Sequence, residues 1–258
     1  HEMIWGIVAA LIMGGLSYRL RLLSLSGALA AVALGIPVFG FGGWMWAVPM
    51  LAFFLLSNLL GKVGKARKAQ FDLVFEKGGQ RDIYQVLANG GVAGVIAVIY
   101  AVTGRVDLFP LYCTALAAAA ADTWATELGT LAKGTPRLVT TFRKVPAGTS
   151  GGITITGLVS ASAGAMSVAL SGWFFYGDLH TAFLVTFCGT LGSMFDSFFG
   201  ATIQAQYRCD VCEKVTEKRA HCGQATERVS GWAWMNNDWV NGISVASSTV
   251  IFLFAAFL

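Results

Sequence analysis

The chain has 258 residues, of which 55% are hydrophobic and only 12% charged, with a mean hydropathy of +0.64 and a net charge of +4. Soluble domains carry about 25% charged residues, so this composition excludes an ordinary water-soluble enzyme, and the length suits a single transmembrane domain over 1–258. No nucleic-acid partner is expected, because the small positive surplus belongs to the loops of a membrane protein.

A membrane-crossing helix needs about 20 apolar residues. The opening His1-Glu2-Met3 reads as a tag remnant ahead of Met3. The run that follows has no basic segment before it and leads at once into another apolar run, so it is predicted to be a membrane helix rather than a signal peptide. Spans are predicted over 3–17, 22–40, 42–60, 84–103, 108–132, 151–173, 178–206 and 236–258, an all-α polytopic bundle of about eight helices. Between them the cations segregate. The 18–21 turn and the loops 61–83, 133–150 and 207–235 hold 17 of the 18 Lys and Arg residues, and Arg105 is the exception. Basic loops face the cytoplasm, which puts both termini outside. The protein is expected in the plasma membrane if its source is bacterial or archaeal.

A weak internal repeat accompanies this alternation. Helices running outward are predicted to open on Ser26-Gly27-Ala28, Asn89-Gly90-Gly91, Ser150-Gly151-Gly152 and Asn241-Gly242, while two running inward carry Asp122-Thr123-Trp124 and Asp196-Ser197-Phe198. Repeated hairpins around one site would produce both patterns.

Within the predicted spans lie Asp122, Glu127 and Asp196. Both aspartates precede the inner end of their span by ten residues, about 15 Å at 1.5 Å per residue. Intramembrane carboxylates are costly and mark function more often than packing. Asp196 belongs to a stripe of small and polar residues, Gly189, Gly192, Ser193, Ser197, Gly200 and Gln204, whose plain alternative is a helix-packing seam. Asn236-Asn237-Asp238-Trp239-Val240-Asn241 sets Asp238 and Asn241 on one face, offering hard oxygen ligands suited to Mg²⁺. The alternative there is a helix N-cap.

The glycine-rich starts, read as helix N-termini, would favour anions. Arg143-Lys144 followed by Gly148-Thr149-Ser150-Gly151-Gly152 could cradle a phosphate chain, although it does not match the P-loop spacing. Lys77 and Arg81 flank Gly78-Gly79 in the 61–83 loop, and Asn58 stands just before that loop. Cys209-x-x-Cys212 with a nearby ligand from His221-Cys222 could form a structural Zn²⁺ site, although adjacent His221 and Cys222 are not expected both to ligate easily. Cys113 and Cys188 read as packing residues.

These strings resemble one family. Ser57-Asn58-Leu59-Leu60-Gly61-Lys62, Lys77-Gly78-Gly79-Gln80-Arg81-Asp82, Ala88-Asn89-Gly90-Gly91, Ala121-Asp122-Thr123-Trp124-Ala125-Thr126-Glu127, Lys144 through Gly152, Asp196-Ser197 and Asn237-Asp238-Trp239-Val240-Asn241 are similar to motifs of the family that includes transmembrane protein nineteen of animals and the phytyl-phosphate kinase of plant tocopherol synthesis. The resemblance covers most of the chain. It implies a kinase that converts a lipid-like prenyl monophosphate, such as phytyl phosphate, to the diphosphate with a nucleoside triphosphate, CTP being a candidate. On that footing Asp122, Glu127, Asp196 and Asp238 would hold one or two Mg²⁺. Arg143, Lys144, Lys77 and Arg81 would neutralise phosphates. Asn58, Asn89, Gly90, Gly91, Thr149, Ser150, Gly151, Gly152 and Asn241 would complete the phosphate-binding surface. Two rivals stand beside this reading: a proton- or ion-coupled transporter, and a transferase using a CDP-linked phospho-alcohol.

Overall fold

The computed structural model describes residues 2–63, 79–131 and 134–256. Eight α-helices of 13 residues or more run through them: α1 (Glu2–Arg19), α2 (Leu25–Pro37), α3 (Gly43–Gly61), α4 (Ile83–Thr103), α5 (Phe109–Gly129), α6 (Ile155–Tyr176), α7 (Leu179–Thr202) and α8 (Asn237–Ala255). Five helical runs among the described residues are long and apolar enough to cross a membrane. The predicted figure of eight spans differs for physical reasons. The segment Leu25–Gly61 counts as one span because its helical residues are unbroken, α2 and α3 being joined by a π-helical turn at Val38–Gly42, although the chain turns back there. The apolar part of α1 is short, Met3–Arg19. Helix α5 is alanine-rich, and its residues from Tyr112 to Ala121 are all buried against other helices, so it has little need to be lipophilic.

The helix ends are set by local chemistry. Ser24, Asp82, Thr154, Asp178 and Asn236 each cap a following helix by accepting backbone N–H bonds. Asp82 and Gln85 form a reciprocal capping box, which satisfies two of the donors that a helix start leaves over. Gly104 and Gly177 end α4 and α6 in the left-handed conformation. Between α2 and α3 the chain reverses at Gly43 (φ +58°).

Helix α5 is the hub. It packs on α6, α7, α8, α3 and α4, and the approach is close because small residues meet along it. A Cβ on Gly164 would lie 2.8 Å from the Ala120 carbonyl oxygen, one on Gly189 2.7 Å from Ala117 Cβ, and one on Gly192 2.6 Å from Ala118 Cβ. One half of the bundle is closed by the buried rings of Trp46, Phe109 and Tyr112, with Tyr100 stacked on Trp46 and the Tyr112 hydroxyl donating to the Trp46 carbonyl at 2.8 Å.

The loops carry short strands that the prediction of an all-α chain did not anticipate. β1 (Arg137–Leu138) pairs with β2 (Gly152–Ile153). Between α7 and α8, β3 (Gln206–Arg208), β4 (Val215–Thr216) and β7 (Glu227–Ser230) form an antiparallel sheet in the order β4-β3-β7, beside the hairpin β5 (Ala220–His221) and β6 (Gln224–Ala225).

Candidate functional site

At the end of the bundle away from the aromatic cluster lies a cavity of about 1060 Å³. Helices α3 to α8 and the turn between α1 and α2 contribute to it. It is lined by Arg21 beyond α1, Leu22 before α2, Asn58 and Lys62 at the end of α3, Arg81 and Gln85 at the start of α4, Glu127 near the end of α5, Leu158 of α6, Asp196 of α7 and Asp238 of α8. The helices therefore alternate in direction about this end, and each loop predicted to be basic meets there.

The carboxylates converge as the sequence predicts, but nearer the end of the bundle. Asp122 lies seven residues before the end of α5 and Asp196 six before the end of α7, so their shared depth is about 10 Å rather than 15. The helices stop short of the predicted spans because Thr130 caps α5 and the chain leaves α7 at Ile203 for the β3 strand. Asp196 Oδ2 is buried and has no hydrogen-bond partner, and its charge is opposed by those of Asp122 and Glu217. An orphaned carboxylate oxygen facing two further carboxylates is an arrangement that could take up a hard cation such as Mg²⁺. Glu127, in the same cavity, attracts the guanidinium of Arg81.

Arg81 is positioned by backbone. Its N–H donates to the Leu22 carbonyl at 3.1 Å and its carbonyl accepts from Ser24 N–H at 3.0 Å. Gly27 permits this, since a Cβ there would stand 2.2 Å from the Arg81 oxygen. Burial lowers the Arg81 pKa and Glu127 offsets part of that drop. Asn58 and Asn89 both line the cavity, each donating its amide to the carbonyl one turn earlier (2.7 and 2.9 Å) and keeping the side-chain oxygen as an acceptor.

Several expectations are corrected here. Asn89-Gly90-Gly91 does not open a helix; α4 begins at Ile83, so these backbone N–H groups are inside it. Gly90 packs near Leu34, and neither Gly90 nor Gly91 lines the cavity. Asn241 is likewise one turn inside α8, where its buried side chain lines the cavity, and Asn236 takes the capping role. Ser150-Gly151-Gly152 is not a helix start either. It runs into β2, and Thr154 caps α6. Thr149, Ser150, Gly151 and Gly152 still line the cavity, because Gly151 (φ +78°) lies so close to α7 that a Cβ would be 2.4 Å from Ala201 Cβ and 2.6 Å from the Ser197 oxygen. Arg143 and Lys144 are exposed and do not line it, being held out in the β1–β2 hairpin where Lys144 bridges to Arg137. Lys77 lies outside the described residues.

Three cavity residues escaped the sequence reading as site candidates. Arg21 and Lys62 counted there only as loop cations. Glu217 is buried, accepting from Ser150 Oγ at 2.9 Å and from Gln204 Nε2 at 2.8 Å. Nothing about an acid in a charged loop would have singled it out.

Beyond the cavity, the ligand atoms of Cys209, Cys212, His221 and Cys222 all lie within 4.8 Å of one another. Adjacency does not keep His221 and Cys222 apart, because Cys222 has φ +52° at a hairpin tip. The Cys209 pKa is brought down to about 6, chiefly by the backbone N–H of Cys212.

The family model described as integral membrane protein DUF92 matches residues 8–249. The chain belongs to this family. It is 35% identical to Protein PGR of Arabidopsis thaliana, over 95% of this chain and 92% of that protein. It is 33% identical to an uncharacterized membrane protein of Methanocaldococcus jannaschii over 71% of this chain and 76% of the other. Protein VTE6, chloroplastic, of Arabidopsis thaliana is 25% identical over 89% of this chain and 64% of its own length. No solved structure matches. The motif resemblance thus holds at the level of the family, and the chain is an integral membrane protein.

Proposed function

We propose that this DUF92 protein is a membrane-embedded kinase that transfers a phosphoryl group from a nucleoside triphosphate, with CTP a candidate, to a prenyl monophosphate such as phytyl phosphate. The observation that carries the reading is the cavity itself, where Asp196, opposed by the charges of Asp122 and Glu217, shares one lining with Arg21, Lys62 and Arg81. Phosphoryl transfer depends mainly on positioning and on charge neutralisation, and a paired set of acids and cations serves both. The volume exceeds the usual 300–1,000 Å³ of a single-ligand pocket, in keeping with two phosphorylated substrates. Leu158 and Met194 are exposed apolar side chains of α6 and α7 in the cavity lining, which suits contact with a lipid tail.

On this reading Asp122, Asp196 and Asp238 would hold Mg²⁺, which when bound supplies neutralisation of the phosphate oxygens. Arg81, Arg21 and Lys62 neutralise the remaining phosphate charge, and Asn58, Asn89, Asn241, Thr149 and Ser150 orient the groups. A phosphate oxygen of the prenyl monophosphate bonds to the γ-phosphorus. The bond from that phosphorus to the bridging oxygen breaks, and the nucleoside diphosphate leaves with the electron pair. The attacking oxygen is already ionised, so no general base is required. The cavity would face the cytoplasm, with both termini at the opposite side, in accord with the basic loops around it.

A carrier needs a route through both halves of the bundle. Trp46, Tyr112 and the buried run Ala115–Ala121 fill the far half, which favours an enzyme. The test is incubation of the detergent-purified protein with Mg²⁺, labelled CTP, ATP, GTP or UTP, and phytyl, geranylgeranyl or farnesyl monophosphate. A prenyl diphosphate that is absent with Asp122→Asn supports the kinase. No product from any pair, with folded protein, overturns it and directs attention to transport and to CDP-linked donors.

A further inference from the structure

We propose that Cys209, Cys212, His221 and Cys222 bind a Zn²⁺ ion that fastens the 206–230 segment and thereby holds Glu217 against the cavity wall. The site is independent of the reaction the cavity performs. Tetrahedral zinc with sulfur at about 2.3 Å and nitrogen at about 2.1 Å has sulfur–nitrogen edges near 3.6 Å. Cys212 Sγ and Cys222 Sγ stand 3.4 and 3.2 Å from His221 Nδ1, and all four ligand atoms fall within 4.8 Å. One ion at the centre would touch all four with only small side-chain adjustments.

The backbone is bent to make this possible. In the first turn Glu213 N–H donates to the Cys209 carbonyl at 2.7 Å and Cys209 N–H to the Lys214 carbonyl at 3.0 Å, with Glu213 at φ +57°. In the second, Cys222 and Gly223 (φ +52° and +77°) form the two-residue tip between β5 and β6. A hairpin tip of that kind prefers Asn or Gly at its first position. A cysteine held there needs another cause, and metal ligation supplies one.

The segment's own strands give it little support. Its five strands are two to four residues long, and β6 and β7 are wholly exposed. Strands this short do not hold together unaided, and small units without a core use metal or disulfides. The three cysteines are free thiols, at the end of the bundle where the cations gather. Ligation takes them as thiolates and releases their protons.

The consequence reaches the cavity. Glu217 directly follows β4, which pairs with β3, and the Thr226 hydroxyl donates to the Lys218 carbonyl at 2.7 Å. The two metal-bearing turns therefore bracket the residue whose carboxylate accepts from Ser150 and Gln204.

The experiment begins with the full chain, purified in detergent without chelator, and its metal content by mass spectrometry. About one zinc per chain is expected, and Co²⁺ exchanged into it should show thiolate charge-transfer and tetrahedral d–d bands. Cys212→Ser should lose the zinc, and His221→Cys should keep it, which separates ligation from misfolding. Protein with neither zinc nor a cobalt spectrum, or one whose mass shows a disulfide between Cys209 and Cys212, overturns the site. Chelation with hydrogen exchange then tests the linkage. Faster exchange should appear at Thr149–Gly152 as well as in 206–230, and loosening of 206–230 alone overturns the role assigned to Glu217.

Discussion

Replacing Asp196 by Asn should stabilise the empty protein while removing its response to Mg²⁺. The Asp196 carboxylate has a buried oxygen without a hydrogen-bond partner and is opposed by Asp122 and Glu217. A charged carboxylate deep in a membrane helix costs about 2.5–3.5 kcal/mol, and a buried polar atom left unbonded costs about 1–3 kcal/mol. Asp196 is only six residues from the end of α7, so the cost falls somewhat below the figure for the centre of a membrane helix, and removing the charge should gain roughly 2 kcal/mol. For a chain of this size that corresponds to about 4–8 °C in melting temperature. In the wild type, Mg²⁺ at ten times its Kd adds about 1.4 kcal/mol by mass action, and Asp196→Asn should show none of this. The assay is thermal unfolding in detergent with EDTA or graded Mg²⁺. A variant that melts below the wild type and still gains stability from Mg²⁺ would refute both the strain and the cation site.

Two further substitutions separate the cavity from its surroundings. Arg81→Ala should lower turnover by at least about 30-fold, as loss of a buried charge contact of about 2–5 kcal/mol predicts, whereas exposed Lys144→Ala should change it less than about twofold; equal effects would contradict the placement of Lys144 outside the cavity. Gly151→Ala puts a side chain at φ +78° and against Ala201, at a cost of about 1–2 kcal/mol for the conformation and about 1–3 kcal/mol for the contact. It should raise protease sensitivity at 147–152 and cut activity while leaving the helical circular dichroism unchanged.

The helices were legible because lipid as solvent imposes a long apolar run on each span, and six of the eight predicted segments agree with an observed helix to within three residues at both ends. The exceptions have local causes. The segment beginning at 151 reads as apolar, but Gly152–Ile153 pairs with Arg137–Leu138 and Thr154 supplies the cap, so the helix waits until Ile155. Asn89-Gly90-Gly91 looked like a start because small residues are common there, yet Asp82 and Gln85 upstream make a stronger signal through their reciprocal bonds. The intramembrane acids Asp122 and Asp196 were found because charge is conspicuous in an apolar run. Glu217 was not, because among charged loop residues an acid carries no contrast, and only the fold shows it reaching Ser150.

The small-residue stripe of α7 resolves the choice between seam and site by dividing it along the helix. Gly189 and Gly192 meet Ala117 and Ala118 of α5, where a side chain would clash. From the next residue on, Ser193, Asp196 and Ser197 line the cavity instead. The same division runs along α5, from the buried alanines at 115–121 to Asp122 and Glu127 immediately beyond. Close packing in one half fixes the spacing of α5 and α7, and the carboxylates lie just beyond that packed stretch on both helices. A larger residue at Gly189 should therefore separate Asp122 from Asp196 without touching either, so the packing seam is itself what sets the geometry of the site.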